Sequence, residues 1–88
     1  MSMKLLSLIE QFTLVGTIID CSSNGLTEIP DNLPVYTTDL DLSGNKIKVL
    51  PRHAFSHMPE LYKLDLANNK ISNIEENAFH GVTKLSEL

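Results

Sequence analysis

The chain has little with which to staple, chelate or catalyse. Its 88 residues include a single cysteine, so no internal disulfide can form, and the redox compartment cannot be read from cysteine pairing. There is no glycine-rich phosphate loop, no nucleophile motif, no H-E-x-x-H and no carboxylate pair in a predicted pocket. No catalytic residue is assigned, an enzyme is not expected, and no cofactor is implied. No asparagine is followed two residues on by serine or threonine, so there is no N-glycosylation acceptor. A basic excess is missing too. Seven Lys and Arg against eleven Asp and Glu leave a net charge of −4, which gives no electrostatic case for nucleic acid or an anionic membrane surface. At 42% hydrophobic and 20% charged residues the composition is neither disordered nor membrane-spanning, and the length suits one domain that is marginal without staples.

What the chain does have is repetition. Ile19-Asp-Cys21-Ser-Ser-Asn24-Gly-Leu26, Leu40-Asp-Leu42-Ser-Gly-Asn45-Lys-Ile47 and Leu64-Asp-Leu66-Ala-Asn-Asn69-Lys-Ile71 are copies of one pattern, spaced by 21 and then 24 residues. Ala54-Phe55 returns as Ala78-Phe79, and Leu61 as Leu85, again 24 residues on. By that phase Leu85-Ser-Glu-Leu88 opens a further strand. A unit of this length is one strand and a return segment that cannot bury its own apolar edge, so it must stack on its neighbours.

Strand side chains alternate between faces. Leu40, Leu42, Leu64 and Leu66 are therefore expected inside. Asp39, Asp41, Ser43, Lys63, Asp65 and Ala67 are expected on the exposed concave face, where they are the candidate partner-binding residues. Asn24, Asn45 and Asn69 fall where the chain leaves each strand and are expected to form a structural ladder, since an amide both donates to and accepts from backbone groups. Phe55 and Phe79 are expected to pack as a convex-side stack. Cys21 shares the inward phase of Leu42 and is expected to be an inert buried thiol.

Two clusters invite a metal reading. Asp20, Asp41 and Asp65 share one strand position and form an acidic stripe, which suits a solvated surface or a contact for a basic partner; a calcium site is disfavoured because hard cations need six or more converging oxygens. His53 and His57 lie four apart, with His80 one repeat on, but a zinc site needs a third ligand and Cys21 belongs to the opposite side. No metal site is expected.

The repeat pattern resembles the extracellular leucine-rich repeat class, x-L-x-x-L-x-L-x-x-N-x-L with a convex phenylalanine. Gly16-Thr-Ile-Ile-Asp-Cys21-Ser-Ser-Asn-Gly-Leu26-Thr-Glu-Ile-Pro30 is similar to the N-terminal capping module of Toll-type receptors, Slit-like proteins and small leucine-rich proteoglycans. The cysteine run of that module is absent, and Leu8, Phe12 and Leu14 stand where its other cysteines would fall. The resemblance implies an α/β solenoid with parallel strands on the concave face. Residues 1–16 would be an atypical, cysteine-free cap, and residues 17–88 two full repeats plus the start of another. Residues 1–14 are read either as a cap held by burial or as foreign sequence joined upstream. Leu5, Leu8, Ile9 and Phe12 have helical spacing, while Glu10 and Gln11 interrupt what would otherwise start like a signal peptide.

The function implied is a non-catalytic protein-interaction module of a receptor or secreted protein, extracellular or at the cell surface. Its partner would be a protein, basic if the acidic stripe is used, without nucleic acid and without direct membrane contact in this segment. Self-association through an open C-terminal edge is a further expectation. Two alternatives stay open: a purely structural capping segment of a longer solenoid, and a matrix proteoglycan-like ligand-binding protein.

Overall fold

The structure, a computed structural model, describes residues 17–88. The expected cap at residues 1–16, with Leu8, Phe12 and Leu14, lies outside the described residues. Five short strands follow in order: β1 (Ile18–Asp20), β2 (Asp39–Asp41), β3 (Val49–Leu50), β4 (Lys63–Asp65) and β5 (Asn73–Ile74). β1, β2 and β4 form one parallel sheet in that order, and β3 and β5 a second.

The register reproduces the repeat spacing. Ile19 pairs with Leu40 and Leu40 with Leu64, which places Asp20, Asp41 and Asp65 side by side across the sheet. The ladder continues past the strand ends, where Cys21 N donates to Asp41 O, Ser23 N to Ser43 O and Gly44 N to Ala67 O. Lys63 forms a parallel bridge with Glu87, so the strand expected at 85–88 does begin beside β4.

Inside, Ile19, Leu40 and Leu64 stack in one row, with Cys21 and Leu42 in the next, all buried. Leu66 is only half-buried, because its outer side faces the C-terminal end of the stack. Thr37 takes the place that Leu61 holds one repeat later and is fully buried; its hydroxyl donates to Pro34 O at 2.7 Å, which satisfies the group there. Phe55 and Phe79 stack at 5.7 Å between ring centroids on the convex side, as the pattern requires.

The return segments are built of turns, and no helix occurs among the described residues. Ala54 N donates to Pro51 O, Ser56 N to His53 O, Met58 N to Phe55 O and Leu61 N to Met58 O. The same four turns recur 24 residues later, from Ala78 N to Glu75 O through Leu85 N to Val82 O. The physical reason is visible in the backbone. His53 (φ 58°) and Asn77 (φ 65°) are left-handed at the equivalent position of the two repeats, and a left-handed residue stops a right-handed helix from propagating.

A second left-handed column precedes the asparagines: Ser23 (φ 53°), Gly44 (φ 70°) and Asn68 (φ 57°). Glycine and asparagine are the residues that adopt this conformation most readily. At Gly44 an added Cβ would also stand 2.8 Å from Ser23 Oγ, which would have to rotate away.

Burial pushes the Cys21 thiol above its ordinary pKa, and the nearby carboxylates of Asp20 and Asp41 push the same way. Both effects disfavour the reactive thiolate. A thiol reagent is expected to label Cys21 slowly in the native protein and rapidly once denaturant is added; fast native labelling would place the first strand in another register.

Candidate interaction face and asparagine ladder

The asparagine column holds the repeats together. Asn45 is 4% exposed. Its Nδ2 donates to Cys21 O at 3.0 Å in the preceding repeat and to Leu42 O at 2.9 Å in its own. Its Oδ1 accepts from Asn24 N and Leu26 N, both at 2.9 Å. Asn69 repeats the arrangement, donating to Leu42 O and Leu66 O and accepting from Ile47 N. One amide thus closes a turn and ties it to its neighbour, and both asparagines are consumed structurally. Asn24 enters this network through its backbone N–H.

The aspartate stripe has a role that the sequence reading did not assign. Asp20 Oδ1 accepts from Ser22 N at 3.0 Å and Ser22 Oγ at 2.6 Å. Asp41 does the same with Ser43, at 2.9 and 2.6 Å, and Asp65 accepts from Ala67 N at 2.9 Å. Each carboxylate closes an Asx turn as the chain leaves its strand. The signal was present in the sequence as Asp-x-Ser, Asp-x-Ser and Asp-x-Ala. Neutral N–H and O–H donors close these turns, so they orient the carboxylates without neutralising their charge.

Of the six expected face residues, Lys63, Asp65 and Ala67 are exposed, while Asp39, Asp41 and Ser43 are half-buried. Register partnering sets Lys63 between Asp39 and Glu87. Burial raises the Asp39 pKa; Lys63 opposes the shift, and Asp41 and Glu87 reinforce it. Because the shift is upward, ionised Asp39 costs stability in the fold, and that cost disappears once the group is protonated. Asp39→Asn is therefore expected to raise the melting temperature slightly at neutral pH, with the gain vanishing as pH falls through the carboxylate range; a gain that persisted in acid would show that charge is not its origin.

Five of the eleven acids, Asp20, Asp39, Asp41, Asp65 and Glu87, lie on this sheet with one of the seven bases, Lys63. Among the described residues off the sheet, five acids and five bases balance. Among the described residues the net charge of −4 therefore sits on the concave sheet.

On the convex side the three histidines separate. His53 and His80 stack at 4.7 Å, and His57 is partly buried with an Nε2 that has no hydrogen-bond partner. No group of three or more His, Cys, Asp or Glu suited to a metal occurs among the described residues.

The family model for the leucine rich repeat matches residues 36–88. Leucine-rich repeat-containing protein 3 of Danio rerio is 44% identical over 68 residues, covering 77% of this chain and 26% of that protein. Chondroadherin-like protein of Mus musculus is 43% identical over 67 residues, covering 76% and 9%. Toll-like receptor 4 of Equus caballus is 44% identical over 66 residues, covering 75% and 8%. Among solved structures, TLR13 in its complex with ssRNA13 superposes with a TM-score of 0.76 at 35% identity, over 78% of this chain and 10% of that one. The chain thus spans about a quarter or less of the length of these relatives. The repeat register, the asparagine ladder and the family match agree, and the chain belongs to the leucine-rich repeat family.

Proposed function

We propose that this segment is a protein-interaction module whose concave sheet receives a basic segment of a partner protein. The observation that carries the reading is the charge distribution: among the described residues the net negative charge is concentrated on one parallel-stranded face and balanced elsewhere. Side chains on paired strands are held at fixed spacing, so a partner is met by a preorganised surface. Complementary charge accelerates encounter and sets orientation. The same acidic face argues against a nucleic-acid partner here, even though the TLR13 structure is a complex with RNA. A non-catalytic role suits an open sheet better than an enzymatic one, because catalysis wants a concave, water-excluding pocket. Similarity to a Toll-like receptor and to chondroadherin-like protein supports an extracellular or cell-surface setting. Among the described residues no helix is long and apolar enough to cross a membrane.

The test must remove charge without breaking the Asx turns. Asparagine keeps the accepting oxygen, so Asp41→Asn with Asp65→Asn changes only the field. With a lysine-rich peptide as probe, the double variant is expected to associate several-fold more slowly at low salt and with weaker salt dependence. Stability should change by no more than ~0.5 kcal/mol. Glu75→Gln with Glu76→Gln on the convex side is the control. Binding that survives the concave change and is lost with the convex one would move the recognition face to the other side.

A second reading rests on a different observation. Leu50, Leu66, Ile71, Ile74, Phe79 and Leu88 line an apolar recess of about 320 Å³ at the C-terminal end of the stack. Such a surface suits stacking, either by a further repeat in the same register or by a second copy, and supports the structural capping role. Sedimentation at increasing concentration separates these: a chain that stays monomeric through the micromolar range excludes pairing between copies.

A further inference from the structure

Building on the concave sheet as the recognition face, we infer that Lys63 sets the register of the partner there, by calling for an acidic residue opposite it in a segment that is otherwise basic. Register partnering surrounds this one base with carboxylates. Asp39 on β2 and Glu87 on the bridging segment flank it, each one strand away, or about 4.8 Å. Asp65 stands two residues along on the same face of β4, and Asp41 is the partner of Asp65 on β2.

The Lys63 ammonium is nevertheless not consumed by these neighbours. Among the described residues none of the four carboxylates lies within ion-pairing distance of its Nζ, whereas Lys84 Nζ does reach Glu60 Oε1, at 2.6 Å. Lys63 and Glu87 are both exposed, and a recess of about 200 Å³ opens beside them, bounded by Lys63, Leu64, Asp65, Glu87 and Leu88. Pockets that take small molecules run to ~300–1,000 Å³. A recess below that range suits one side chain of a larger partner, and the charges around it are two acids and a base.

Electrostatics act here at two ranges. At a Debye length of ~8 Å a partner feels one base among four acids, and a basic segment is attracted whatever the order of its charges. In contact the order matters. A lysine set against Lys63 juxtaposes like charges where water is being excluded, while a glutamate there gains a charge-assisted hydrogen bond and leaves its basic neighbours to Asp39, Asp65 and Glu87. Total charge in the partner therefore governs association, and the position of its acidic residue governs dissociation.

The full chain would be tested with two lysine-rich peptides of identical composition, each carrying a single glutamate, at the centre of one and at the end of the other. The two are expected to associate at the same rate, and the peptide with the central glutamate to dissociate on the order of fivefold more slowly. Lys63→Gln should abolish that difference and Lys63→Glu should reverse it. Both substitutions fall at an exposed site and should leave the melting temperature nearly unchanged. Equal dissociation of the two peptides, with association still salt-dependent and still slowed by Asp41→Asn with Asp65→Asn, would overturn the role of Lys63 and leave the concave face standing. Association that ignores both salt and the aspartate changes would remove the face itself, and the role of Lys63 with it. A difference that persists in Lys63→Gln would place the discriminating residue elsewhere.

Discussion

Asn45→Ala is expected to remove most of the stability of the fold. The amide makes four well-formed hydrogen bonds in a buried site, two donated to Cys21 O and Leu42 O and two accepted from Asn24 N and Leu26 N. Truncation leaves Cys21 O, Asn24 N and Leu26 N without that partner, while Leu42 O keeps the bond from Asn69 Nδ2, and each unsatisfied buried group costs about 1–3 kcal/mol. Water entering the vacated space recovers part of that, so the net loss should be ~4 kcal/mol. Against a total stability of about 5 kcal/mol for a small domain, little remains. Asn69→Ala should cost roughly half as much, because Asn69 is half-exposed and solvent can replace its partners. Asn45→Asp tests the mechanism: it keeps the acceptor but turns a lone pair toward two carbonyls, and should be at least as damaging as alanine. Thermal unfolding read by circular dichroism decides the matter. An alanine variant melting within a few degrees of the parent would mean that the strands, and not the ladder, hold the repeats together.

Phe55→Ala is expected to cost about 3–5 kcal/mol, the range for removing a fully buried phenylalanine. Phe55 is 0% exposed and packs among Met58, Leu61 and the rest of the core, while its ring stacks on that of Phe79. Phe79 is half-buried, so Phe79→Ala should cost clearly less. A double-mutant cycle should return a coupling of about 0.5–1.5 kcal/mol for the pair. Equal losses at the two positions would show that the convex stack is buried uniformly and that the C-terminal end of the solenoid is less open than its exposures indicate.

The repeat architecture was legible in the chain because a solenoid maps sequence period directly onto space. Residues 21 and 24 apart became Cα partners in β1, β2 and β4, and the inward positions Ile19, Leu40 and Leu64 followed from strand alternation alone. The ladder role of Asn45 and Asn69, the stack of Phe55 on Phe79 and the burial of Cys21 were equally readable, since each is a local choice repeated in register. Even the Asx turns were written there, in the serines two residues after Asp20 and Asp41, although a column of carboxylates first reads as a charge pattern.

Tertiary structure decided what depends on distances between repeats and on backbone angles. The α/β class implied by the resemblance leaves room for helical return segments, but left-handed residues at His53 and Asn77 make them successive turns. The stacking of His53 on His80, and the separation of both from His57, follow from how adjacent turns pack. The nitrogens after Asn45 and Asn69 are held by carbonyls supplied by the neighbouring repeat, Leu26 O and Ile47 O. Period and phase are properties of one strand of text, so the sequence alone determined the solenoid, its inward rows and its ladder. Which groups are tied or exposed depends on contacts between residues far apart in the chain, and those only the folded stack determines.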